Sequence, residues 1–145
     1  MKTALFTGSF DPFTIGHKDI VERFLPLFDR IVIGIGVNER KACMLTTEER
    51  VAHIERVFCD NPKVKVVTYS DLTVSLAKRE QADYIIKGVR SVKDFEYERE
   101  QADINRQLSG IETIILPASP QLAHISSSMA RELKHFGQDI SNLLP

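Results

Sequence analysis

An excess of charge of either sign is the first thing this chain lacks. Its 19 Lys and Arg stand against 20 Asp and Glu, for a formal net charge of −1. A dedicated nucleic-acid or membrane-surface binder carries a strong basic excess, so any anion binding here must be local. Cysteine is scarce too. Cys43 and Cys59 are the only two, which rules out a disulfide framework, and neither has metal-ligand spacing with a histidine pair. The expectation is two reduced thiols in the cytoplasm. No apolar run approaches the ~20 residues of a membrane helix, and no signal peptide is legible where Met1-Lys2 leads into a strand-like segment. Internal repeats, low-complexity tracts and linkers are absent as well. A chain of 145 residues fits one domain of about 100–150 residues, and 43% apolar content suits a real core.

What is present is alternation. Short β-rich runs at Thr3–Thr7, Arg30–Gly36, Lys63–Thr68, Asp83–Lys87 and Glu112–Leu116 are separated by amphipathic stretches. RIVIGIG at 30–36 is apolar at nearly every position, as in a strand covered on both faces. Helices are predicted over His17–Phe28, from a Thr46/Glu49 capping box onward, and over Val74–Gln81, Lys93–Leu108 and Ser127–Phe136. Pro26 is expected to distort the last turn of the first. The pattern predicts a single α/β domain over 1–145: a Rossmann-like, doubly wound, five-stranded parallel sheet. Crossovers should be right-handed, with helices on both faces. Ligands in such sheets bind beyond the C-terminal strand ends, near the switch point.

The unusual residues fall on those ends. After strand one comes Gly8-Ser9-Phe10-Asp11-Pro12-Phe13-Thr14-Ile15-Gly16-His17. Gly8 allows close backbone approach to a ligand. His17 and Lys18 place polar groups where a helix begins, a site that attracts phosphate. The string is neither GxGxxG nor Walker A, which disfavours Rossmann dehydrogenases and P-loop enzymes. After strand four, Lys87 and Arg90 flank Gly88-Val89, followed by Asp94-Phe95-Glu96-Tyr97-Glu98. After strand five comes Ile125-Ser126-Ser127-Ser128, with Arg131 expected in the first turn of the following helix. One serine satisfies an N-cap, leaving hydroxyls for a ligand. Lys41, after strand two, should share the same sheet edge.

Together these strings resemble the nucleotidyltransferase superfamily related to class I aminoacyl-tRNA synthetases. Thr14-Ile15-Gly16-His17 resembles its TxGH form of the HIGH motif, and Ile125–Ser128 with Arg131 its ISSSxxR motif. Over nearly the whole chain the sequence is similar to the bacterial phosphopantetheine adenylyltransferase family, adding Ser70-Asp71-Leu72, Gly88-Val89-Arg90, DFEYE at 94–98 and Asn105-Arg106. The resemblance implies that ATP and 4′-phosphopantetheine give dephospho-coenzyme A and pyrophosphate, with Mg²⁺. It also implies a homohexamer inhibited by coenzyme A; no residue is assigned to a metal, and the balanced charge and lack of a long apolar run predict no nucleic-acid or membrane partner. It assigns Ser9, Phe10, His17, Gly88, Val89, Arg90, Glu98 and Leu122, Ala123, His124, Ile125, Ser126, Ser127, Ser128 to ATP. It assigns Ser9, Lys41, Thr73 and Lys87 to the pantetheine substrate.

Four departures accompany it. Ser9 stands where the family usually has threonine, and Lys87 where it has arginine, keeping charge but losing the bidentate fork. Leu122-Ala123-His124 replaces an aromatic, and the sequence ends at Pro145, short of the usual final helix, with an expected effect on assembly or regulation.

A phosphate acceptor is already a nucleophile, so the expected catalysis is positioning plus charge stabilisation. Lys41 would orient the incoming phosphate. His17 and Ser9 would donate to the α-phosphate, and Arg90 with Ser126–Ser128 would hold the leaving phosphates. The alternatives are a sister enzyme with another phosphate acceptor and a non-catalytic nucleotide-binding relative.

Overall fold

A computed structural model describes residues 1–145. Five parallel strands, β1 (Thr3–Gly8), β2 (Arg30–Gly36), β3 (Val64–Tyr69), β4 (Tyr84–Val89) and β5 (Glu112–Pro117), lie in the order β3-β2-β1-β4-β5. Five helices connect or follow them: α1 (Ile15–Phe24), α2 (Thr47–Val57), α3 (Thr73–Arg79), α4 (Val92–Ser109) and α5 (Ser127–His135). The chain runs outward from β1 to β3, then returns to place β4 on the other side of β1. The order therefore reverses between β1 and β4, which pair Ala4 with Tyr84 and Phe6 with Ile86.

The central strands explain their own sequence. Alternate residues of β1 enter different cores. Ala4 and Phe6 pack with Ile20, Val21 and Phe24 of α1 and Ile54 of α2, while Leu5 packs with Val32 and with Leu76 and Ala77 of α3. Both faces are covered, so strands β1 and β2 have no place for a polar alternation. Each fully buried Ile or Leu contributes about 1.5–3 kcal/mol. A third cluster joins Ile125, Ala130, Ile140 and Leu143 with Met44, holding the C-terminal segment against the loops at the strand ends.

Element boundaries shift from expectation for identifiable reasons. Helix α1 starts two residues before His17 because Thr14 caps it. It stops at Phe24 because Pro26 turns residues 25–27 into a 3₁₀ turn. Helix α3 stops at Arg79 rather than Gln81, whose φ of 55° is left-handed. Strand β4 continues through Gly88 to Val89, which pairs with Pro117, so β5 also extends one residue past Leu116. Strand β3 is displaced by one residue, α4 gains a residue at each end, and α5 ends at His135 rather than Phe136. The Thr46/Glu49 capping box forms as expected.

Candidate active site

Two adjoining spaces open at the C-terminal edge of the sheet. One is a cavity of about 360 Å³ between the β1–α1 loop, the end of β4 and the serine turn before α5. The other is an open groove of about 1530 Å³ bounded by the ends of β2 and β3 and one side of α4. Six residues line both: Thr7, Gly8, Ser9, Lys41, Lys87 and Glu98. The seam between the spaces thus carries two cations, one carboxylate and the hydroxyl-bearing Thr7 and Ser9.

The β1–α1 loop organises the surroundings. Asp11 is buried, and its carboxylate accepts from the backbone N–H groups of Met44 and Leu45, both at 2.8 Å. This fastens the loop that carries Lys41, with charge-assisted bonds worth about 1.5–3 kcal/mol each. The Asp11 carbonyl accepts from Arg131 at 2.8 Å, and the Pro12 carbonyl accepts from the Ser127 hydroxyl at 2.8 Å. One loop therefore sets the position of both the Lys41 loop and the serine turn.

His17 lines the cavity with its ring against Phe10 and Phe13, at centroid distances of 5.1 and 5.3 Å. The Thr14 backbone N–H donates to His17 Nδ1 at 2.9 Å, one half of a capping box at the start of α1. Nδ1 must accept, so in the neutral ring the proton sits on Nε2, leaving a donor for the cavity. The neutral form is strongly favoured. Burial, then the positive charges of Arg90 and Lys87, carry the His17 pKa from 6.5 down to about 4.

Lys87 Nζ donates to the Thr7 carbonyl at 3.0 Å and faces Glu98 at 3.8 Å. Burial lowers its pKa from 10.5, and the Glu98 carboxylate opposes that shift. Arg90 is exposed and pairs at 3.2 Å with Asp94, in the first turn of α4. In this arrangement carboxylates from α4 hold both cations of the β4 end.

Most residues singled out in the sequence come together here. Besides the seam, Phe10, His17, Gly88, Arg90, Leu122, Ile125 and Ser126–Ser128 line the cavity, and Thr73 lines the groove. Several differ from expectation. Val89, Ala123 and His124 line neither space. Val89 is buried, its carbonyl accepting from the Ala118 N–H. The Phe10 side chain is packed among Phe6, Phe13 and His17, so it braces His17 and presents little surface to the cavity. The three serine hydroxyls all have partners within the chain: Ser126 caps Met129, Ser127 holds Pro12, and Ser128 accepts from Arg131. Arg131 is the fifth residue of α5, past its first turn. Lys18 pairs with Glu22 at 3.5 Å and lines neither space. Gly88 is explained by packing, since a Cβ there would meet Ile20 Cγ1 at 2.6 Å.

The chain and its fold have counterparts among known proteins. Residues 5–133 match the cytidylyltransferase-like family model. The phosphopantetheine adenylyltransferase of Phocaeicola vulgatus is 52% identical over all 145 residues, which cover 96% of that protein. That of Porphyromonas gingivalis is 51% identical over 142 residues, covering 98% of this chain and 93% of that one. The chain belongs to the phosphopantetheine adenylyltransferase family. Among solved structures, the bifunctional NMN adenylyltransferase/ADP ribose pyrophosphatase from Francisella tularensis superposes with a TM-score of 0.72. The match spans 99% of this chain and 44% of that one at 14% identity, a likeness of fold.

The cleft also takes in residues to which the resemblance assigns no ligand, all but Gln101 lying within the motif strings. Thr14, Gly16 and Asp94 line the cavity, and Tyr97, Gln101 and Asn105 of α4 line the groove. The i, i+4 spacing from Tyr97 through Gln101 to Asn105 is the signal that places these three on one helical face.

Proposed function

We propose that this protein transfers AMP from ATP to 4′-phosphopantetheine, giving dephospho-coenzyme A and pyrophosphate. The observation that carries the reading is the seam. A nucleotide in the cavity and an extended acceptor in the groove would meet at Ser9, Lys41 and Lys87. The named relatives support the choice of acceptor.

In this reading an acceptor phosphate oxygen attacks the α-phosphorus in line, and the bond to the β-phosphate oxygen breaks. Lys41 and Lys87 orient the incoming phosphate from the seam. His17 Nε2–H and the Ser9 hydroxyl donate to the α-phosphate oxygens as their charge rises. Arg90, released from Asp94, takes up the departing pyrophosphate together with the serine turn. Every protein contribution is placement or charge stabilisation, and no protein nucleophile or base is needed. The magnesium ion would arrive on the triphosphate. The cavity's carboxylates Asp94 and Glu98 each face a cation, and no group of three or more His, Cys, Asp or Glu converges on a metal position.

Coenzyme A carries both a nucleotide and a pantetheine arm, so it would span both spaces and compete with both substrates. Val92, Phe95, Ile104 and Leu108 are exposed apolar side chains on α4, which supports self-association, and the family resemblance makes the hexamer the expected assembly. The two free cysteines fit the cytoplasm as the working compartment. The direct test is pyrophosphate release from ATP or CTP with a panel of phosphate acceptors. ATP with 4′-phosphopantetheine should be the productive pair, and faster release with another acceptor would refute the reading.

A further inference from the structure

Arg50, on the first turns of α2, is 3% exposed. Its Nη1 donates to the Ser9 carbonyl at 2.8 Å and to the Gly36 carbonyl at 3.2 Å, and Nη2 donates to the Thr47 hydroxyl at 3.2 Å. Nε is buried with no partner. None of the chain's eight ion pairs includes Arg50. The neighbouring acids are otherwise placed. Glu49 reaches back to the Thr46 N–H, and Glu48 is exposed at the groove rim. A guanidinium is thus buried without a carboxylate, against neutral acceptors only. Charges are seldom buried unpaired, because desolvation costs several kcal/mol. A plain tie between two carbonyls does not need a full charge. The carbonyls held belong to Ser9, at the seam, and to Gly36, in the groove wall.

We infer that Arg50 is a positioning residue for the acceptor phosphate: it fixes Ser9 at the seam, and its buried charge is completed when that phosphate binds. The role is distinct from those of Lys41 and Lys87, which reach the groove themselves. It rests on the reading of the groove as the acceptor site.

The test compares 4′-phosphopantetheine with pantetheine, which lacks the phosphate, by calorimetry on wild type, Arg50→Lys and Arg50→Met. A unit charge acting across partly wet protein changes a binding constant about tenfold. The preference for the phosphorylated ligand should fall by that factor in Arg50→Met, while pantetheine affinity and the KM for ATP stay within about threefold. Arg50→Lys keeps the charge and should retain the preference, but with Ser9 less firmly held its kcat should fall. Should Arg50→Met not fold, Arg50→Gln, which keeps a donor for Ser9, carries the same expectation. Equal weakening of both ligands, or an unchanged preference in a folded variant, overturns the inference. Pyrophosphate release by wild type is measured first. Its absence refutes the proposed function, whereas its presence with an unchanged preference refutes only the role of Arg50.

Discussion

Replacing His17 by alanine removes a donor whose position depends on three separate contacts. Phe10 and Phe13 fix the plane of the ring, and the Thr14 N–H fixes which nitrogen carries the proton. No reorganisation is then required when negative charge develops on the α-phosphate, which is the condition under which a donor contributes most. Loss of one such preorganised donor lowers turnover by about 10²–10³, or about 2.7–4 kcal/mol of barrier. The KM for ATP should change little, because the interaction strengthens in the transition state. The substitution also leaves the Thr14 N–H without its partner and opens space beside two phenylalanines, at a combined cost of about 2 kcal/mol or more in stability. Steady-state pyrophosphate release should therefore be measured well below the variant's melting temperature, with thermal unfolding recorded in parallel. A folded His17→Ala protein with turnover within about tenfold of wild type would refute the reasoning.

The low His17 pKa makes stability depend on pH with a definite sign. Its folded value of about 4 lies below the ordinary 6.5, so the unfolded chain binds the proton more readily. Stability should fall as pH drops from about 6.5 to 4, by up to about 3 kcal/mol. His53, also lowered by burial, acts in the same direction. Denaturant unfolding across this range should show a shallower pH slope in His17→Ala, and an unchanged slope would contradict the assignment. Lys41→Ala should weaken use of the acceptor more than binding of ATP, visible as a larger rise in the acceptor KM; equal loss of both would count against its place at the seam. Gly88→Ala forces a Cβ to within 2.6 Å of Ile20 and should destabilise by about 1–3 kcal/mol. Calorimetric melting checks it, and a neutral result would show that α1 can shift.

The fold was legible because each level of the sequence pointed the same way. The apolar run RIVIGIG, the Thr46/Glu49 box and the strand–helix alternation each described their own segment correctly. The site was legible in outline because its residues sit on the loops that a parallel sheet gathers at one edge. Less legible was how side chains divide between ligand and scaffold. Phe10, Ser127 and Arg131 lie within motif strings, yet the fold uses their side chains to hold His17, Pro12 and Asp11. Arg50 offered no signal, since an arginine on an amphipathic helix normally faces solvent. Its burial depends on β1 and β2 ending side by side, a tertiary fact. Nor could spacing reveal that Gly88 serves the packing of α1, because Ile20 lies 68 positions away in sequence.

The proposed chemistry is adenylyl transfer by attack at the α-phosphorus, and isotope tracing tests it most directly. ATP labelled at the α-phosphate, incubated with the protein and 4′-phosphopantetheine, should place its label in dephospho-coenzyme A, in step with the appearance of unlabelled pyrophosphate. Transfer of label from the γ-phosphate to the acceptor, or label retained in free AMP with the acceptor unchanged, would contradict it.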